Sequence, residues 1–294
     1  MLKRTITGAV YVAIIVGFFF LRDYVDYRLF NILIFAFCAA GTFEIARALK
    51  PYLFKGNFVL SVIYGGVFVP LFCVFEYITA FGGAYACLIF AGAAVLYQLC
   101  FSALKAKNAA AGENKRFFKV FCVNSLAFVY PALLLLTLLL ANGLENGFLC
   151  LVLTFVIPPC ADTFAYLVGM TYNKIRKGKA KKMCPNLSPK KTWAGAIGGV
   201  FGGVIGAMAV YFIAGANSGL AGAAISPLII FMLIGFVASI LTETGDLFES
   251  FIKRKVGIKD MGKILPGHGG VMDRIDGTVF AAAFIYLVFS LLWV

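Results

Sequence analysis

Long apolar stretches recur along this chain, each close to the length a helix needs to cross the hydrocarbon core of a bilayer, about 20 residues. Nine stand out, at 5–22, 29–48, 58–77, 80–101, 123–142, 147–170, 194–215, 224–244 and 277–294. In lipid every backbone N–H and C=O must be paired within the protein, so only helices and closed barrels span. A barrel would show short segments of alternating polarity, of about ten residues. These runs are continuous, which predicts helices. Composition agrees: 62% of the residues are hydrophobic and 13% charged, against roughly 45–50% and 25% in soluble domains. The expectation is an all-α integral membrane protein of about nine transmembrane helices.

The net charge of +13 would suggest nucleic acid in a soluble protein. Here it is read instead as cytoplasmic loops beside anionic lipid, with no nucleic-acid partner. With the N-terminus in the cytoplasm and nine spans, every one of the 26 basic residues except Arg22 and Arg28 falls on the inner side. Lys3 and Arg4 precede the first run without an evident cleavage site, so that run is expected to be a retained helix. The eight cysteines are scattered without a C-x-x-C pair and are read as small buried hydrophobes.

Polar residues concentrate in the second half. Residues 1–145 read as scaffold helices. Residues 146–294 read as a catalytic region with two inner loops, 171–193 and 245–276, and an active-site cavity facing the cytoplasm. The second loop holds five of the thirteen acidic residues and the single histidine. If the eighth span continues as a helix, Asp246, Glu249, Ser250 and Lys253 share one face; a solvated helix end is the alternative. L-P-G-H-G-G, residues 265–270, offers Gly269 and Gly270 in a turn whose amides could form an anion-binding nest. Asp273 and Asp276 open the last span, either as helix-capping acids or as oxygen ligands for Mg2+, which takes one or two carboxylates plus substrate phosphates. His268 is better suited to bonding a phosphate or the turn than to acting as a base, because a phosphate monoester is already largely ionised near neutral pH (second pKa about 6).

Upstream, Ser188, Lys190, Lys191 and Thr192 precede the seventh span and could receive phosphate at its N-terminus, or serve as a positive anchor. Asp162 lies inside the sixth run just after Pro158-Pro159, a pair expected to break the helix. An ionisable residue at that depth costs about 2.5–3.5 kcal/mol and points to function. A metal, or Lys190 and Lys191, would be its partners.

Together these residues resemble the phosphatidate cytidylyltransferase family, the CDP-diacylglycerol synthases. The family signature is Ser-x-x-Lys-Arg, four residues, Lys-Asp-x-Gly, then Leu-Pro-x-His-Gly-Gly-x-x-Asp-Arg-x-Asp. It is met without a gap by Ser250, Lys253, Arg254, Lys259, Asp260, Gly262, Leu265, Pro266, His268, Gly269, Gly270, Asp273, Arg274 and Asp276. Gly245-Asp246-Leu247, the Ser188–Thr192 run and Asp162-Thr163 also look like family motifs. One departure is Ala194, where the family commonly has Glu, so no carboxylate role carries over there.

The resemblance implies that CTP and phosphatidate give CDP-diacylglycerol and pyrophosphate, with membrane lipid as the setting. It implies Mg2+ held by Asp246 and Asp273, with Asp276 and Asp162 as further candidates and a monovalent cation as an option at a second site. Lys253 and Arg254 would meet the phosphatidate head group. Ser188, Lys190, Lys191 and Thr192, with Ser250, Lys259, Arg274, Gly269 and Gly270, would bind substrate. The competing readings are a secondary transporter, another lipid nucleotidyl- or phosphotransferase, and an inactive homologue. The CDP-alcohol phosphotransferase motif is absent. Glycine faces such as Gly198-Gly199 with Gly202-Gly203 allow close packing within a chain or in a homodimer.

Overall fold

The computed structural model describes residues 2–53, 57–78, 82–107, 122–127, 130, 132–215, 226–267 and 269–292. Among them are nine helices of more than ten residues. These are α1 (Leu2–Tyr24), α2 (Phe30–Leu49), α3 (Asn57–Ile78), α4 (Gly82–Lys107), α5 (Ala132–Asn142), α6 (Gly147–Ile175), α7 (Trp193–Val210), α8 (Pro227–Val256) and α9 (Met272–Leu292). Eight described segments are long and apolar enough to cross a membrane, and Gly83–Tyr97 is a shorter apolar helix. The expected all-α membrane architecture is therefore what the chain adopts, and the protein is multi-pass. His268 lies outside the described residues.

The chain divides into two compact units: Met1–Leu139 with Ile258–Asp273, and Leu140–Gly257 with Arg274–Val294. In the first unit α2 packs on α3 and α3 on α4. Its core is built on Phe30, Ile34, Ile45 and Phe68, all fully buried, with the Tyr64 and Phe90 rings stacked 4.9 Å apart. Along α1, Val10, Val12, Ile14 and Phe20 are exposed instead, as a lipid-facing helix requires.

In the second unit α7 packs most extensively on α6 and then on α8. The reason is a stripe of buried glycines on α7. A Cβ at Gly202 would stand 2.7 Å from the Cys160 carbonyl oxygen of α6, and one at Gly199 would stand 2.7 Å from Glu243 Oε1 of α8. Small residues are what let membrane helices approach this closely.

Helix ends follow local chemistry. Pro227 opens α8 at a position where its missing N–H costs nothing. Gly257, at φ +80°, closes it after Lys253, Arg254 and Lys255, cations that suit the negative end of a helix dipole. Thr192 caps α7, its Oγ1 accepting from the Gly195 N–H at 3.0 Å.

Two local expectations change. Pro158-Pro159 does not break the sixth span: α6 runs through both prolines. Proline removes a donor and crowds the preceding turn, but membrane helices absorb this by satisfying freed groups locally. Just past the pair, Thr163 Oγ1 adds a hydrogen bond to the Pro159 carbonyl at 2.7 Å. Second, the approach to α7 is a short antiparallel ribbon, β1 (Lys182–Cys184) and β2 (Ser188–Thr192), pairing Lys182 with Thr192 and Cys184 with Ser188. Pro189 is tolerated because a two-stranded ribbon is all edge.

Candidate active site

The second unit contains a cavity of about 420 Å3. One face of α6 supplies Asp162, Tyr166, Gly169, Met170 and Asn173, at i, i+4, i+7, i+8 and i+11 as a helix face requires. The ribbon supplies Lys182, Lys190, Lys191 and Thr192, and α8 supplies Glu243 and Asp246. Three carboxylates and three ammonium groups therefore line one apolar-walled space. The ribbon presents Lys190 and Lys191 beside the N-terminus of α7, where the sequence pattern placed them, and adds Lys182 from the paired strand.

The central contact is an ion pair, with Lys191 Nζ 2.8 Å from Asp246 Oδ2. Burial of Lys191 works against its charge, but the nearby carboxylates of Asp246, Glu243 and Asp162 outweigh that and raise its pKa. Lys191 therefore stays cationic. Glu243 Oε1 is buried with no hydrogen-bond partner, a carboxylate oxygen left unsatisfied beside the cavity.

The continued helix α8 does align the face anticipated from sequence, but its groups are divided between contacts. Ser250 Oγ donates to Asp246 Oδ1 across a long 3.4 Å. Lys253 Nζ lies 3.5 Å from the fully buried Glu249 carboxylate. Arg254 Nε donates to the Leu187 carbonyl at 3.3 Å, tying the end of α8 to the ribbon. Ser250, Lys253 and Arg254 do not line the cavity. Asp276 accepts from the Gly277 N–H at 2.8 Å, while Arg274 is exposed. Ala194 does not line the cavity, although Thr192, Gly195 and Ala196 do.

The first unit holds the glycine-rich loop. Gly267 and Gly269 have φ of +78° and +89°, left-handed values that glycine adopts without strain. The Leu265 N–H donates to the Gly269 carbonyl at 2.9 Å, and Thr7 Oγ1 donates to the Pro266 carbonyl at 3.0 Å. Of the amides expected to form a phosphate nest, that of Gly270 is engaged by a carboxylate of the chain itself, as are the Val271 and Met272 amides that follow it. Asp273 Oδ2 accepts from Gly270 at 2.7 Å and from Met261 at 2.9 Å. Glu44 Oε1 accepts from Val271 at 3.1 Å and Oε2 from Met272 at 2.9 Å. Lys259 is exposed on the same loop.

Sequence reasoning missed Glu44, Glu243, Lys182, Tyr166 and Asn173. A signal existed for the two glutamates, since each is an ionisable residue inside an apolar run, the criterion that singled out Asp162. Lys182 was folded into a basic run, and nothing in the pattern distinguished Tyr166 or Asn173.

Among the described residues, no three Asp, Glu, Cys or His side chains cluster tightly enough to cage a metal. Mg2+ does not need such a cage: it dehydrates reluctantly and is commonly held by one or two carboxylates plus substrate phosphates. Asp246 and Asp162 in one cavity, with the unpartnered Glu243 oxygen beside them, are hard oxygen donors that fit that demand.

The profile of the cytidylyltransferase family matches residues 2–292. A phosphatidate cytidylyltransferase from Brucella abortus biovar 1 (strain 9-941) is 40% identical over 159 residues, covering 54% of this chain and 53% of the relative. One from Thermotoga maritima is 35% identical over 183 residues, covering 61% and 63%. One from Rickettsia conorii is 38% identical over 138 residues, covering 47% and 56%. The chain thus spans between about half and two thirds of the length of these relatives.

Proposed function

The chain belongs to the cytidylyltransferase family, and we propose that it transfers a cytidylyl group from CTP to phosphatidate, giving CDP-diacylglycerol and pyrophosphate. The observation that carries this reading is the cavity in which Lys182, Lys190 and Lys191 face Asp162, Glu243 and Asp246. Ammonium groups neutralise polyphosphate oxygens, and the carboxylates provide for a divalent cation travelling with them. The similarity to proteins named phosphatidate cytidylyltransferase supports the choice of substrates.

In this reaction a phosphatidate oxygen forms a bond to the α-phosphorus of CTP, and the α–β phosphoanhydride bond breaks to release pyrophosphate. The nucleophile is ionised near neutral pH, so the protein's task is positioning and charge neutralisation. Lys190 and Lys191 hold the triphosphate oxygens, and Thr192 fixes the start of α7 beneath them. Lys253 and Arg254 are proposed for the lipid phosphate, Arg254 because its planar fork suits a phosphate. Asp246 and Asp162 would hold Mg2+, with Asp273 and Asp276 as the further carboxylates proposed for metal. When bound, Mg2+ supplies charge neutralisation on the nucleotide phosphates and the departing pyrophosphate.

The active site is proposed to open to the cytoplasm, with the N-terminus on the same side. The one-sided distribution of basic residues supports this. The test is pyrophosphate release by the purified protein in detergent with CTP, phosphatidate and Mg2+, against omission of each and against Asp246→Asn. Release that needs all three and is lost in the variant supports the reading. Folded protein that binds CTP but releases none overturns it.

A further inference from the structure

Glu44 sits on α2, far from the signature in sequence and fully inside the first unit at 1% exposure. Its two oxygens accept from two consecutive amides, Val271 and Met272, the donors at the entry to α9 that have no intrahelical partner. The preceding amide, Gly270, is taken by Asp273. Three successive N–H groups therefore converge on two carboxylates. Nests of this kind receive anions, and here the anion belongs to the scaffold.

The loop is shaped around that carboxylate. A Cβ at Gly262 or at Gly270 would collide with the Glu44 side chain, and neither glycine has a positive φ. Their lack of a side chain serves Glu44, not a turn. Asp273 completes the arrangement by bonding Met261 across the loop. With Glu44 fixing the two amides just before it, Asp273 has its backbone held by Glu44 and its carboxylate by the Gly270 and Met261 amides.

We infer that Glu44 is a positioning residue: it holds the Gly262–Asp273 loop in its working conformation by accepting the Val271 and Met272 amides. This rests on the cytidylyl-transfer reading for its effect on turnover, but the contact is testable without any reaction.

The experiment uses the full chain in detergent with Glu44→Gln, Glu44→Ala, Gly262→Ala and the double variant Glu44→Ala/Gly262→Ala. Gln keeps the size of the side chain, but its NH2 cannot accept a backbone N–H. Hydrogen exchange at Gly270–Met272 and trypsin cleavage after the exposed Lys259 and Lys263 report the loop directly. Both are expected to rise about tenfold in each single variant, the scale of one lost charged hydrogen bond, while exchange in the rest of α2 stays unchanged. The kcat should fall by a similar factor with the KM for CTP little altered. Removing the Glu44 side chain makes room at Gly262, so the double variant should be no worse than Glu44→Ala.

Native-like exchange in Glu44→Gln, or faster exchange with unchanged kcat, overturns the assignment, as do fully additive effects in the double variant. If the wild-type protein shows no cytidylyl transfer, the functional reading fails, and the exchange and cleavage results alone decide whether Glu44 holds the loop.

Discussion

Lys191 Nζ lies 2.8 Å from Asp246 Oδ2, so the strand leading into α7 is pinned by charge to α8. The pair is only partly shielded, at 22% and 35% side-chain exposure, so its worth as a stability device is discounted for solvent screening. Its position in the cavity makes it more telling as a catalytic arrangement. On the proposed reaction, incoming triphosphate would draw Lys191 toward its oxygens and leave Asp246 open to a cation.

Lys191→Met should therefore cost much more activity than stability. Losing one fixed charge aimed at a phosphoryl transition state costs on the order of 100-fold in rate. Lys191→Arg should recover part of it. Steady-state kinetics beside thermal unfolding would check this; a large drop in melting temperature with normal kcat/KM would contradict the assignment.

The pH response of the metal-free protein follows from the same pair. The folded pKa of Lys191 is raised, the carboxylates outweighing burial. A raised folded pKa contributes stability that is fully present below the unfolded value, about 10.4 for lysine, and is lost as pH rises through the folded value. Unfolding measured in a chelator should show no Lys191-dependent change between about pH 6 and 9. A decline above pH 10.4 or so should be shallower in Lys191→Met.

Asp246→Asn and Asp273→Asn should both nearly abolish turnover, for different reasons. Asp246 lines the cavity and makes few structural contacts, so its variant should stay folded. Asp273 accepts from Gly270 and Met261, hydrogen bonds to a charged group worth about 1.5–3 kcal/mol each. Its Asn variant should also loosen the loop, visible as faster trypsin cleavage after Lys263. Normal turnover in either variant would exclude that carboxylate from metal binding.

Much of this organisation is legible in the sequence, and the exceptions share a physical cause. Apolar runs of bilayer length locate the helices because the lipid leaves the backbone no alternative. Asp162, Lys190, Lys191 and Asp246 could be singled out individually, since charge in an apolar chain is conspicuous. What pattern could not supply was pairing over distance. Glu44 is more than two hundred residues from the amides it binds, so nothing in the glycine-rich motif announces that its nest is filled from within. Glu243 is hidden by its neighbour Asp246. The ribbon before α7 has strands too short to carry a period-two signal, and Pro158-Pro159 reads as a helix break because proline removes a donor and crowds the preceding turn, although α6 continues through both.

Gly202→Ala should destabilise the second unit without touching the cavity. The added Cβ would meet Phe164 Cβ at 2.5 Å and the Cys160 carbonyl at 2.7 Å. A carbonyl cannot move aside without disturbing α6. Overpacking of this kind costs about 1–3 kcal/mol, to be read as a fall in unfolding midpoint in detergent, with a largely preserved KM for CTP in the protein that remains folded.

Ala194→Glu restores the residue common in the family at this position, and the structure sets a modest expectation. Ala194 occupies the first turn of α7, where an acidic side chain is favourable to the helix dipole by about 0.3–1 kcal/mol. It does not line the cavity, though its neighbours Thr192, Gly195 and Ala196 do. The variant should be slightly more stable, with kcat/KM for CTP within about threefold of the native protein, the range of a substitution away from the reacting groups. A gain of tenfold or more would mean that a carboxylate here reaches the nucleotide or its cation when substrate is bound, and that this chain works at reduced capacity for want of it.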